Sequence, residues 1–197
     1  MSRLTRQEVT VMLENGIDLD LSYDDLRDIR LNKLDLKGAD FSNSDLGYAD
    51  LSFSDLTDAN FKKADLSHAN FRGATIVNCN FDEANCWCTN FSSSRLKGSH
   101  FIKTNMSGAN LKSADCREVN FYAADLTVAN LQHADLKDSD LSDTNLTSAL
   151  LAGANMRDTD LSGADMRTSI LEKRNNDNCL EKADLTGATM PDGSIHE

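Results

Sequence analysis

Proline is nearly missing from this 197-residue chain. The single one, Pro191, lies close to the C-terminus, so nothing in the body of the sequence takes an amide out of a hydrogen-bonded ladder. Aromatic residues are also scarce, at 6%, while hydrophobic residues reach 40%, so a core has to come mostly from small and aliphatic side chains. No apolar run approaches the ~18 residues of a membrane-spanning helix. The opening stretch MSRLTRQEVTVMLENG has neither the apolar region nor the cleavage-site pattern of an export signal. No membrane partner is therefore expected, and a cytoplasmic location is the default. The five cysteines are odd in number and lack a framework spacing, which suits a reducing compartment. Positive charge is the minority: 20 Lys and Arg stand against 32 Asp and Glu, a net charge of −12. That balance disfavours direct nucleic-acid binding, which rests on Lys and Arg contacts to phosphate.

What is present is a period of five. From Leu21 to Leu171 every fifth residue is Leu, Phe, Ile, Met or Cys, without an insertion. Two residues before each of these centres, from Ala39 to Ser169, stands Ala, Ser or Thr, with only Cys79 and Val119 as exceptions. One residue before the centre is Asp or Asn in all but five of the same units, the five being Thr75, Arg95, His100, Leu150 and Ile170. Neither straight element accommodates this pattern. On an α-helix a five-residue step turns the chain by ~500°, so the centres would spiral around the surface. On a straight strand the same step flips successive centres to opposite faces. A spacing of two and then three means a short extended piece followed by a corner that resets the inside. Glycines such as Gly38, Gly73 and Gly98 fall two residues after a centre, where a turn calls for positive φ.

Phenylalanine gives the number of corners. Phe41, Phe61, Phe81, Phe101 and Phe121 are spaced by 20 residues, and Phe71 and Phe91 repeat the spacing. Four sides of five residues then close one coil, and coils stack ~4.8 Å apart. Phe would lie on Phe inside one side, and Asn70, Asn90, Asn110 and Asn130 would form an outer ladder.

Units such as ADFSN, ADLSF, ANFKK, ADLSH, ANFRG and ANLKS resemble the A(D/N)LXX pentapeptide-repeat family. The likeness covers residues 21–171, with a looser coda at Ala183–Met190. It implies an all-β fold, a right-handed quadrilateral β-helix; the handedness comes from the family and not from the spacing. Some family members protect DNA gyrase by presenting an acidic rod in place of duplex. Many bacterial members, cyanobacterial ones especially, have no known role.

Both ends need covering, because a stacked rod exposes apolar coil there. Thr5 and Glu8 read as a capping box, and Val9, Met12 and Leu13 share one helical face, so a short capping α-helix is expected over about residues 6–14. The chain thus divides into residues 1–20 (capping helix and lead-in), 21–171 (the repeat helix) and 172–197 (loop and C-terminal cap). Within the last part EKRNNDNC reads as a loop with Cys179 exposed, Leu180, Leu185 and Met190 resume the step out of phase, and Pro191-Asp192-Gly193 reads as a turn. Leu150 and Ile170 should stack as an apolar patch, covered by the C-terminal segment or used by a second copy. A homodimer would form there or through the C-terminal end.

Chemistry is hard to find. The motifs GxGxxG, GxSxG and the P-loop do not occur, and no cofactor is expected. His68, His100 and His133 fall on different sides, so no metal site is expected; Cys79, Cys86 and Cys116 occupy inward positions as small apolar fillers. Tyr48, His68 and Cys88 share one outer column beside Trp87, and Ile102 and Tyr122 stack on another side. A Cys–His dyad would need an orienting group and an oxyanion donor, and neither is apparent. The expectation is a non-enzymatic protein-interaction or structural module, contacting an unidentified protein through Trp87, Cys88, His68 and Tyr48 or through Ile102 and Tyr122. The alternative is a DNA mimic that binds DNA gyrase. Against it, residues 39–171 carry 18 acids but 11 bases. The column Lys97, Arg117, Lys137, Arg157 reads as one half of a charge lattice with Glu118, Asp138 and Asp158.

Overall fold

The computed structural model describes residues 4–171 and 179–197. The residue before each centre forms a parallel bridge with the residue 20 positions on, from Asp20 with Asp40 to Leu150 with Ile170. Four units therefore close a coil, and the rod has four walls. The first carries the centres Leu21 to Leu161, the second Leu26 to Met166, the third Leu31 to Leu171 and the fourth Leu36 to Met156.

Most corners are made alike. The centre's carbonyl accepts from the amide three residues later, as Leu36 does from Ala39 at 3.2 Å. The second of the two intervening residues has positive φ at every corner from Tyr23 to Thr168. Glycine is not what this conformation selects, since most corners carry other residues, among them Lys33 at φ 62° and Tyr48 at φ 61°. The ladder on each side holds these residues in the left-handed region. At several corners glycine serves close approach instead. At Gly73 a Cβ would stand 2.6 Å from Cε1 of Phe53, which leans over it from the previous coil.

The Asp or Asn before each centre has two tasks. Its Oδ1 accepts from the first turn amide, as Asp40 does from Ser42 at 2.8 Å. When it is Asn, its Nδ2 in most cases donates to the residue one coil earlier, as Asn60 does to Asp40 at 3.0 Å and Asn90 to Asn70 at 3.2 Å. The small residue two before the centre is buried, so a hydroxyl there needs a partner. Ser44 donates to the Phe41 carbonyl of its own coil, and Thr104 reaches the Phe81 carbonyl of the coil before at 2.7 Å.

The core is solid. Phe61, Phe81 and Phe101 stack along the first wall at 4.7 and 4.5 Å, and Phe71 on Phe91 along the third at 5.1 Å. The two stacks meet edge to face, Phe61 with Phe71 at 5.6 Å and Phe91 with Phe101 at 5.7 Å. Opposite walls are thus in contact through aromatic edges, a favourable arrangement, and leave no lumen there.

Helix α1 (Arg6–Glu14) starts at the expected capping box, with Glu8 N–H donating to Thr5 Oγ1 and Thr5 N–H to Glu8. Val9 is fully buried against the first coil, a burial worth ~1.5–3 kcal/mol, and Met12 and Leu13 pack beside it. Arg6 ties the helix down through the carbonyls of Arg30 and Asn32.

At the other end, most of the loop expected over 172–179 lies outside the described residues. Cys179, expected to be exposed, is partly buried against the core, and its carbonyl accepts from Met156. It belongs to the fourth wall. Asp184 and Thr189 then bridge Asp160 and Asp165, a step of 24 instead of 20. The centres that look out of phase in the sequence have returned to the walls, because a step of 24 brings them back to the same walls four residues late. Gly193 N–H closes a turn onto Met190, and Ile195 pairs antiparallel with Thr189. The described C-terminal residues leave Ile170 50% exposed, so the expected cover over this patch is not formed by them.

Candidate functional site

The outer surface is set by columns of like position 20 residues apart. The corner between the second and third walls holds the expected group. Tyr48 stacks on His68 with ring centroids 4.7 Å apart and an interplanar angle of 15°. Trp87 meets His68 edge-on at 4.6 Å and 73°. Cys88 sits next in the His68 column and leans over Gly108, its Sγ 3.0 Å from where a Cβ would stand. The three rings form one surface because ~4.8 Å is both the coil spacing and a comfortable stacking distance. Tyr48 and Trp87 keep 63% and 46% of their surface exposed.

The second expected group is weaker. Ile102 is half-buried, and its N–H donates to Asp82 Oδ1 at 3.0 Å. That bond replaces the one an Asp or Asn at position 100 would accept, since His100 stands there. Tyr122 is exposed one coil later, capped by Asn120.

To the expected Ile170 the third wall adds Phe53 and Val128, which the sequence reading passed over. Phe53 lies open over Gly73, Val128 is 54% exposed at a left-handed corner with φ 52°, and Ile170 sits at the end of the wall. Folding the sequence at a period of 20 and asking which column lacks acids would have found this wall.

The fourth wall is different. Lys97 reaches Glu118 at 3.1 Å, Arg117 reaches Asp115 at 2.7 Å and Asp135 at 3.7 Å, and Arg157 reaches Glu181 at 3.4 Å. The expected charge lattice is present, and its cations already have partners. Exposed pairs of this kind contribute little each.

Among the described residues these side chains are not arranged as a reaction centre. No hydrogen bond joins Cys88 to His68 among the described residues. Burial pushes the Cys79 thiol up to about 12, and Cys86 and Cys116 still further, so these thiols are not nucleophiles at neutral pH. Among the described residues no three His, Cys, Asp or Glu side chains gather as metal ligands would. Recesses lie beside α1, lined by Thr5, Gln7, Glu8, Val11 and Met12, and along Ile17–Asp20 against Lys37–Asp40. In the first, Glu8 is already engaged by the helix cap.

A family model described as pentapeptide repeats matches in eight copies, the matched segments running from residue 25 to residue 167. Trypsin-treated QnrB1, a plasmid-mediated fluoroquinolone resistance protein, has the same fold with 22% identity and a TM-score of 0.71, over 80% of this chain and 77% of its own. A second trypsin-treated form superposes at a TM-score of 0.67 with 20% identity, over the same shares. HetL, a pentapeptide repeat protein involved in heterocyst differentiation regulation in the cyanobacterium Nostoc sp. strain PCC 7120, is 26% identical over 98% of this chain and all of its own, with a TM-score of 0.43. No curated protein sequence matches the chain.

Proposed function

Because the chain belongs to the pentapeptide-repeat family and has its right-handed quadrilateral β-helix, we propose that it works as a non-enzymatic protein-interaction module. The observation that carries this is the stacked aromatic corner Tyr48–His68–Trp87, exposed on a rod whose interior is filled. Exposed aromatic anchors on a rigid wall are what a partner protein uses, because they give large contact area without ordering cost. The walls are flat, and the paired charges and buried thiols supply no catalytic group.

We place this activity in the cytoplasm, which suits five unpaired cysteines. Leu150 and Ile170, adjacent on the third wall, are the proposed contact if two copies associate.

Capture from source-organism lysate tests the proposal, with the wild-type chain beside Trp87→Ser and Tyr122→Ser. A specific protein retained by wild type and lost with Trp87→Ser supports it. Equal recovery on all three, or none on any, overturns it.

The gyrase-directed DNA mimic remains the second reading, favoured by the fold shared with a fluoroquinolone resistance protein. It requires an acidic surface along the rod, whereas the fourth wall is neutralised by its own lattice and the third has hardly any acids. Recovery of a topoisomerase that is released by high salt would promote it.

A further inference from the structure

Charge is not spread evenly around the rod. The third wall with its two flanking corners comprises five columns, beginning at Arg27, Asp28, Arg30, Asn32 and Lys33 and repeating every 20 residues to Ile170. Of the 32 carboxylates in the chain these columns hold two, Asp28 and Asp50. From Asp50 to the end of the array the face has no acid at all. It does carry Arg30, Lys33, Arg72 and Lys112, all exposed and, among the described residues, none in an ion pair. The contrast with the fourth wall is the point, since the column Lys97–Arg157 there is taken up by neighbouring carboxylates.

Apolar surface gathers on the same face. Of the large hydrophobic residues exposed along the array, Tyr48, Phe53, Trp87, Val128 and Ile170 lie on it, and only Tyr23 and Tyr122 lie elsewhere. Val128 adds an independent sign. A β-branched residue is poorly suited to φ 52°, and strained residues held on a surface point to use. Between the cations run neutral groups, with Asn70, Asn90 and Asn110 joined in their ladder.

From this we infer that the third wall docks an acidic segment of a partner protein, its carboxylates meeting Arg30, Lys33, Arg72 and Lys112 and its apolar side chains meeting the exposed rings. The inference rests on the protein-interaction reading and names the partner's chemistry. A polynucleotide would meet the same cations, but it has no aliphatic side chains to cover Val128 and Ile170, and the −12 charge of the whole chain opposes a long polyanion more than a short acidic segment.

That net charge gives the interaction an unusual salt dependence. At ~0.01 M salt the Debye length is ~30 Å, so an approaching acid feels the whole acidic rod. At ~0.15 M it is ~8 Å, and the acid feels only the wall in front of it. At ~1 M both fields are screened. Affinity passes through a maximum near physiological salt.

The test uses the full chain and a random copolymer of glutamate and tyrosine, with binding read from Trp87 fluorescence and by calorimetry. Two charge reversals are compared, Arg72→Glu/Lys112→Glu on the third wall and Lys62→Glu/Lys103→Glu at the corner of the first and second. Far-ultraviolet dichroism and urea midpoints establish that each folds. The expected result is a loss of about tenfold or more in the first double variant, little change in the second, and a maximum with salt. Equal losses in both, no binding by wild type, or a single-stranded oligonucleotide bound as tightly as the copolymer overturns the inference. The lysate capture separates the two levels: a partner lost with Trp87→Ser but kept by Arg72→Glu/Lys112→Glu leaves the interaction reading standing and removes the acidic partner.

Discussion

Ser99 closes a turn that belongs to another coil. The amide of Cys79 donates to Ser99 Oγ at 2.9 Å, and Ser99 Oγ donates to the carbonyl of Ile76 at 2.7 Å. At most other corners of the array this gap is closed directly, as from Ser44 N–H to the Phe41 carbonyl. One hydroxyl thus stands in for a missing backbone hydrogen bond. Ser99→Ala leaves a buried amide without a partner and is expected to cost ~1–3 kcal/mol, whereas Ser44→Ala, whose turn keeps its backbone bond, should cost ~0.5–1.5 kcal/mol. Urea unfolding of the two variants checks the order, and equal midpoints would show that the turn at Ile76 closes without help.

Phe81 is the crossing point of the two aromatic stacks. It lies on Phe61 and Phe101 at 4.7 and 4.5 Å and meets Phe71 and Phe91 edge-on at 6.0 and 5.9 Å. Phe81→Ala opens a hole that the neighbouring coils, held by their ladders, cannot collapse into, so a loss of ~3–5 kcal/mol is expected. Phe81→Leu should lose much less, since Leu21 and Leu141 fill the equivalent place in the same wall. Chemical denaturation of both variants is the check; similar losses would mean that the rings contribute geometry beyond their volume.

Acid should loosen the rod from its corners. Hydrogen bonds from Arg117 hold the Asp115 carboxyl below the usual range, those from Arg167 do the same for Asp165, and Ser22 and Ser194 lower Asp20 and Asp192. A carboxylate whose folded value is depressed adds stability that is fully present above its unfolded value, about 3.9 for Asp, and is lost as pH falls through the folded value. The urea midpoint is therefore expected to stay level from neutral pH to about 5 and to fall below ~4. Arg117→Met should make that fall shallower. A midpoint that declines already between pH 7 and 6 would show that these carboxylates do not set the acid response.

The period of five, the four sides and the capping box were all legible because each is a local rule repeated without interruption. Phe41 to Phe121 revealed the coil length because stacking places like residues together. Two features escaped. The sequence suggested glycine for the corners, yet Tyr48 and Lys33 hold the same positive φ, because the ladders fix what intrinsic preference would refuse. The phase break after Leu171 also misled. A step of 24 returns the centres to the walls in register, and the bridges from Asp160 to Asp184 and from Asp165 to Thr189 show this. Of the candidate surface, Tyr48, His68 and Trp87 could be placed by counting, but the acid-poor wall beside them becomes visible only when separate columns are viewed as one face.

Val128 joins stability to use. Its left-handed backbone suits Asn or Gly, and half of its side chain is open to solvent, so packing gains little from it. Val128→Asn relieves the strain and should raise stability by about 1 kcal/mol, or a thermal midpoint higher by ~2–4 °C for a chain of this size. If the residue is kept for the partner, the same change should weaken capture while the fold gains. The paired measurement is a thermal melt and a binding isotherm on one variant. A gain in both would show that the valine serves neither purpose, and a loss in both would mean that it packs against the rod more closely than its exposure indicates.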